Sequence, residues 1–389
     1  MNQELIKLAK KEYSQKSRLG KKINGYYKKK VKEFSIDDFS KIKLYLEAFL
    51  PNVSPLIHRD IVFSHLGFEP FVTSIAEGKP FSIVSGLNPS SYLHLGHKVL
   101  FDLLLYFQSL GADIFIPITN DESYLDGKTK TLAESRRMAY EEIIPGIISF
   151  GFDPKKTHIY VLSDYPDVYN FAINVSRYVT NQYVSSIFGD KAINNSGKAF
   201  YRSAVQLAQI LLPQLDEFGG PKNVLIPVGI DQHPYILLAR DVANKMNLLP
   251  PSELIFKFQP SLINPYEKMS GSKPKTAIYL NDDDETIRKK IQKAFTGSVS
   301  VLDVHRQLGG IPEACSVFAL LKFHNIDNDY VDDLYIKYKS GQINMKELKD
   351  LTTDFIIKII HEHQQKKSEV RSIEKFLLKK PLTSFLSYK

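Results

Sequence analysis

Tryptophan is missing from all 389 residues, cysteine occurs once, and no apolar run is long enough to cross a bilayer. The lone Cys315 excludes an internal disulfide and leaves no cysteine cluster for structural zinc. The opening MNQELIKLAKKEY lacks the apolar segment of a signal peptide. These absences predict a cytoplasmic protein with no membrane contact. No internal repeat or low-complexity tract interrupts the chain. The net charge of +8 is unevenly placed: residues 1–35 hold eleven Lys or Arg against three Glu, a balance equal to the whole excess. That basic stretch carries Tyr13, Tyr26 and Tyr27. Two readings stand for it, a salt-sensitive contact to phosphate backbones or a solvated helix that touches nothing.

What is present is an ordinary globular composition, 43% hydrophobic and 24% charged, long enough for two or three domains. Residues 81–110 organise it. The apolar run Phe81 to Val84 reads as a buried strand, Gly86 to Ser91 as a tight turn, and the stripe Leu93, Val99, Leu100, Leu103, Leu104 and Phe107 as a helix. Strand, loop and helix start form a place where backbone N–H groups hold phosphate, with Gly86 and Asn88 suited to unusual backbone angles. His94 and His97 sit three apart on one face, with Gly96 between them. Paired imidazoles there could stabilise charge building on a phosphate leaving group. Four letters, HLGH, also fit two structural histidines near a helix end.

Further along, Ile114–Thr119, His158–Leu162, Val224–Gly229 and Glu253–Phe258 read as buried strands of a parallel sheet. Asp121 and Glu122 fall in a loop past a strand end, where a carboxylate could hold an ammonium or simply be solvated. Pro51 and Pro55 mark a break, and Pro145 kinks or ends the helix it interrupts. His58, Arg59 and Asp60 read as a turn or a ligand contact, and Gln206 and Gln209 as core amides or ligand contacts. Asp231 and Gln232 occupy a strand-to-helix corner, followed by Pro234 in a first helical turn; Asp231 suits ribose hydroxyls or a plain N-cap. The loop EKMSGSKP, 267–274, is mobile, with lysines free to close over phosphates, or a charged surface turn. Asp282 and Glu285 predict an N-cap pair, and from 312 onward the pattern is helical throughout, with a basic finish.

HLGH after a first strand, GIDQ after a late strand and KMSGS in a loop, in that order, resemble the class I aminoacyl-tRNA synthetases. The wording is similar to the tryptophanyl-tRNA synthetases of archaeal and eukaryotic type, from roughly Pro55 to Leu378. GFDPKKTHIY, IDQHPY, KMSGSKPKTAIYL and FTGS support it. The resemblance implies a Rossmann-like catalytic domain over 76–297 with a helical insertion at about 121–222. A basic helical appendage at 1–75 precedes it, and an all-helical anticodon-binding domain at 298–389 follows. It implies activation of tryptophan by ATP with Mg²⁺, transfer to tRNA(Trp), and a homodimer.

Under this resemblance His94, His97 and Lys268 are catalytic. Gly86, Asn88, Gly96, Gly229, Asp231, Met269, Ser270, Gly271 and Ser272 bind the nucleotide. Val84, Glu122, Gln206 and Gln232 surround the amino acid, and no protein cage for a metal is implied. Two departures stand out. Gly271 replaces the class's second lysine, which leaves Lys273 to supply charge. Val84 and Pro117 replace the Tyr and Gln that bond the indole N–H in eukaryotic members, so another group must accept it. Two alternatives remain open, a tyrosyl-tRNA synthetase of similar fold and a non-catalytic RNA-binding paralogue. The missing tryptophan would let such an enzyme be made when charged tRNA is scarce, but a Lys-, Asn- and Ile-rich composition is the stronger account of it.

Overall fold

A computed structural model describes residues 3–50, 52–190 and 195–387. Pro51 and residues 191–194 of the expected helical stretch lie outside it. The chain gathers into two compact units. One holds Met1–Phe63, Tyr92–Val99 and Lys257–Lys366; the other holds Ser64–Ser91, Leu100–Phe256 and Lys367–Lys389.

The second unit is built on a parallel sheet. Its strands are β2 (Val62–Leu66), β3 (Phe81–Val84), β4 (Asp113–Ile118), β5 (Thr157–Val161), β6 (Asn223–Val228) and β7 (Ser252–Phe256), numbered after a two-residue β1 (Asp37–Asp38). They lie in the order β2-β7-β6-β3-β4-β5. β3 pairs with β4 on one side (Ser82 with Asp113) and β6 on the other (Ser82 with Val224). Every residue of β3 and of β7 is buried, including Ser82, Ser252 and Glu253 among the apolar side chains. The fold is the expected Rossmann-like α/β class, and the switch in strand order beside β3 opens a crevice at the strand ends.

The strands fall within a residue or two of expectation. The turn after β3 does not. Ser85 and Leu87 N–H donate to Phe115 and Pro117 O at 3.1 Å each, so the ladder runs past Gly86 before the chain turns. A Cβ on Gly86 would lie 2.3 Å from Pro117 O, so only glycine permits this approach. Asn120–Leu125 is a short helix rather than a loop, with Asp121 and Glu122 in the first turn where the helix dipole favours acids. Before Pro145 the chain widens into a π-turn at Ala139–Ile143, which absorbs the missing donor and the ring.

The C-terminal stretch is not helical throughout. The long helix Met345–Ser368 ends, and Leu378 N–H then donates to Ile159 O on the edge of β5 at 2.7 Å. Leu382 and Phe385 are buried in the same core as Phe171, which needs extended chain at this point.

The first unit is mainly helical: Gln3–Glu33, Ser40–Phe49, Ser316–His324, Asn328–Lys339 and Met345–Ser368. The basic helix Gln3–Glu33 is not free in solvent. Ala9 packs with Val299 and Val304, and Gly20 is buried, its Cβ position 3.2 Å from Ile311. Glu12 accepts from Ser300 N at 3.0 Å, and Lys16 donates to Ser298 O at 2.5 Å. The helix Asp284–Lys293 is capped by Asp283, which accepts from Thr286 N, rather than by Asp282 with Glu285. Asp282 instead accepts from Tyr279 N at 2.8 Å and Lys290 at 2.6 Å.

Candidate active site

In the second unit a cavity of 260 Å³ opens at the ends of β3, β4 and β6. Val84 and Pro117 line it, together with Gly86, Asn88, Glu122, Gln206 and Gln232. Ile226 and Ile236 add to the apolar walls, and polar side chains, Thr119 and Tyr201 among them, share the lining. Glu122 accepts from Thr119 Oγ1 at 3.0 Å and lines the cavity. Asp121, one residue earlier, is directed into the protein, accepting from the Tyr169 hydroxyl at 2.6 Å, and burial raises its pKa. The pair therefore divides into one carboxylate available to an ammonium and one structural carboxyl.

The π-turn Tyr201–Val205 delivers Tyr201 and Gln206 to the wall. Gln209 lies buried behind, donating to Tyr201 OH at 3.4 Å and Val205 O at 3.3 Å, as a satisfied amide should. Gln206 Oε1 is buried without a partner, an acceptor left for an N–H that the protein does not supply. Tyr201 and Thr119 escaped sequence reasoning. A lone aromatic or threonine in a helical or strand pattern carries no signal of its own.

Gln232 ends the 3₁₀ turn Ile230–Gln232 that follows Gly229 and β6, and Asp231 is exposed there without capping a helix through its side chain. The corner is anchored from below. His233 Nδ1 and Glu253 Oε2 of β7 lie 2.6 Å apart, both side chains being 1% exposed or less, and burial raises the Glu253 pKa.

The first unit brings HLGH and KMSGS together. Residues 93–95 pair with 278–280 just beyond the loop: Leu95 N–H donates to Ile278 O at 3.0 Å, and Leu280 N–H to Leu93 O at 2.8 Å. Gly96 lies against Met269, with its Cβ position 3.7 Å from Met269 Cβ and only 2.8 Å from the His94 ring, so a larger residue would displace the His94 imidazole. Met269 is buried there, and its N–H donates to Gln259 O at 2.8 Å.

The two imidazoles lie 3.9 Å apart at an interplanar angle of 30°. His94 Nδ1 accepts from Gly96 N at 3.0 Å, and His97 Nδ1 accepts from His94 N at 3.1 Å. Each ring therefore carries its proton on Nε2. Burial pushes the His97 pKa down to about 4; burial, then the neighbouring ring, holds His94 well below the ordinary range. At neutral pH the pair is two uncharged N–H donors.

The loop is strapped in place. Lys268 rests its ammonium 4.8 Å from the Phe258 ring centroid, Ser270 and Ser272 hydroxyls lie 3.1 Å apart, and Tyr279 OH donates to Gly271 O at 2.7 Å. Lys273 is exposed, 4.0 Å from Glu267. Tyr279 was invisible to sequence reasoning because it acts from beyond the motif. The His58–Asp60 segment proves to be a turn, with Arg59 donating to Lys322 O and Asn325 O.

A family profile described as "tRNA synthetases class I (W and Y)" matches residues 76–361. The tryptophan–tRNA ligase of Methanocaldococcus jannaschii is 36% identical over 321 residues, covering 81% of this chain and 86% of the relative. That of Methanopyrus kandleri is 33% identical over 352 residues, covering 89% and 92%. The crystal structure of the Aeropyrum pernix tryptophanyl-tRNA synthetase superposes with a TM-score of 0.83 at 31% identity, covering 91% of this chain and 96% of that one.

Proposed function

Since the chain belongs to the class I tRNA synthetases of the tryptophan and tyrosine type, we propose that it activates tryptophan with ATP and charges tRNA(Trp). The observation that carries this reading is the seating of Gly96 on Met269, which holds a neutral histidine pair and the lysine loop in one unit. The amino-acid pocket supports tryptophan with flat apolar walls, a carboxylate at Glu122 for the ammonium, and a vacant acceptor at Gln206 for a substrate N–H.

In the first step the tryptophan carboxylate attacks the α-phosphorus of ATP, forming the mixed anhydride as the bond to pyrophosphate breaks. The carboxylate is already ionised at neutral pH, so no side-chain base is required. His94 and His97 donate through Nε2–H to phosphate oxygens as charge grows on the departing pyrophosphate, and Lys268 and Lys273 close over the same group. Gly229 and Asp231 take the adenosine side. In the second step the ester forms on the terminal ribose and AMP leaves.

Mg²⁺ is assigned to the triphosphate itself. Among the described residues no three His, Cys, Asp or Glu side chains gather to hold a metal, and no step is routed through the ion. Residues 298–389 are assigned to the anticodon, the assembly to a homodimer, and the place of action to the cytoplasm. No described helix is long and apolar enough to cross a membrane.

ATP–pyrophosphate exchange run with each of the twenty amino acids tests the reading. Exchange with tryptophan is expected; exchange with tyrosine alone, or with none, overturns it.

A further inference from the structure

A second concentration of positive charge in the first unit lies outside both loop motifs. Lys257 follows β7, and its N–H donates to Ile61 O at 2.8 Å. Its ammonium lies 5.7 Å from the Tyr27 ring centroid, and Tyr27 packs edge-on against Phe63 at 4.8 Å. Lys43 pairs with Asp60 at 2.8 Å and donates to His58 O at 2.6 Å. Arg59 donates to Lys322 O at 3.0 Å and Asn325 O at 2.6 Å, fastening the helix Ser316–His324 to the same turn. Lys28, Lys43, Lys257 and Lys322 thereby gather around this turn, where Lys43 already engages Asp60, while Glu313 and Asp332 act on Lys322 and Asp327 and Asp332 on Arg59 without a direct ion pair.

The cations are not paired group for group. Neither Lys257 nor Lys322 makes a hydrogen bond or ion pair through its ammonium among the described residues. Arg59, only 7% exposed, leaves Nε and Nη2 without partners. Burial, and then the neighbouring lysines, pull the Lys257 pKa down to about 8, while burial lowers that of Lys322. Half-buried ammonium groups without a direct ion pair are costly, so the cluster can take a further anion.

We propose that Lys28, Lys43, Lys257 and Lys322 form a site for a backbone phosphodiester of the tRNA. Lys29 and Lys32, both exposed on the helix Gln3–Glu33, extend the charge from Lys28 by roughly 6 Å along the axis. Such a line follows linked phosphates, whereas a small anion needs only a point. The site rests on the reading that the chain charges tRNA.

The test measures tRNA(Trp) affinity against salt concentration for the parent, Lys28→Ala, Lys257→Met, Lys322→Met and Lys257→Arg. Each lost charge should weaken binding several-fold and reduce the slope of log K against log salt by roughly 0.7–0.9, with Lys257→Arg restoring it. Lys28→Ala lies on an exposed helix face and keeps the test sound if a buried variant misfolds. Parental slopes in Lys28→Ala and Lys322→Met overturn the site, as does loss of tripolyphosphate binding with tRNA binding unmoved. Tryptophan-dependent exchange separates the two ideas. A parent that exchanges and binds tRNA, beside variants with unaltered slopes, defeats this site alone; a parent that does neither defeats the proposed function.

Discussion

The cavity of the second unit and the paired motifs of the first are held by different kinds of interaction. The cavity is framed by a hydrogen-bonded ladder just past β3 and β4, with Leu87 N–H donating to Pro117 O, Thr119 N–H donating to Leu87 O and Gly86 pressed on Pro117. Its walls are buried, and a ligand meets a shape already made. The KMSGS loop is held on one side by backbone bonds to residues 259–261 and otherwise by single contacts: a cation over Phe258, one hydroxyl–carbonyl bond from Tyr279 and a serine pair. Each is of the order of 1 kcal/mol, a scale that permits loop motion during a catalytic cycle. On the proposed function, recognition falls to the strand ends and phosphate handling to the more lightly held loop.

The sharpest way to break this contrast is His97→Ala. It should slow adenylate formation about 10²–10³-fold while leaving tryptophan affinity within about twofold. Binding can be read from the ligand's own indole emission, because the chain has no tryptophan to mask it. Equal losses in rate and affinity would merge the two regions into one.

Next in size, Glu122→Gln should raise the KM for tryptophan roughly 10- to 100-fold and leave that for ATP unchanged, since a charged hydrogen bond to an ammonium is removed. A shifted ATP KM would place the carboxylate elsewhere.

The histidine pair predicts a pH response. The folded His97 pKa is lowered from 6.5 to about 4, so the unfolded chain binds more protons across that window. Its contribution to stability therefore rises with pH between those limits and is lost as pH falls through them. Melting temperatures should decline on acidification over this range, less so in His97→Gln; identical curves would contradict the burial assigned to the ring. The smallest effect is expected from Tyr279→Phe, which frees Gly271 O and should change the ATP KM about two- to fivefold with no change for tryptophan. An altered tryptophan KM would show that the strap serves the cavity.

Much of this was legible in sequence because strands and motifs are local. Phe81–Val84 falls where its apolar run begins and ends, and Val84, Glu122, Gln206 and Gln232 do share one cavity. What sequence could not show depends on approach between distant segments. The run of ladder through Leu87 requires Pro117 beside Gly86, and the split of Asp121 from Glu122 requires Tyr169. The strap from Tyr279 and the return of Leu378 to β5 are equally non-local. Of the two readings of the basic arm, the packing of Ala9 against Val299 and Val304 removes the helix that touches nothing, for a related reason. Its charge dominates the composition, while its structural work is done by Ala9, Gly20 and Tyr27.

Tyr27 OH accepts from Phe258 N at 3.3 Å, and Tyr26 meets the Tyr266 ring edge-on at 5.7 Å, so the Lys-rich helix supports the segment that leads into KMSGS. Anyone shortening this protein for crystallisation or inhibitor screening would see a dispensable leader and cut it. The result would be an enzyme whose flap swings from a loosened doorframe, and compounds ranked against it would be ranked against the wrong machine.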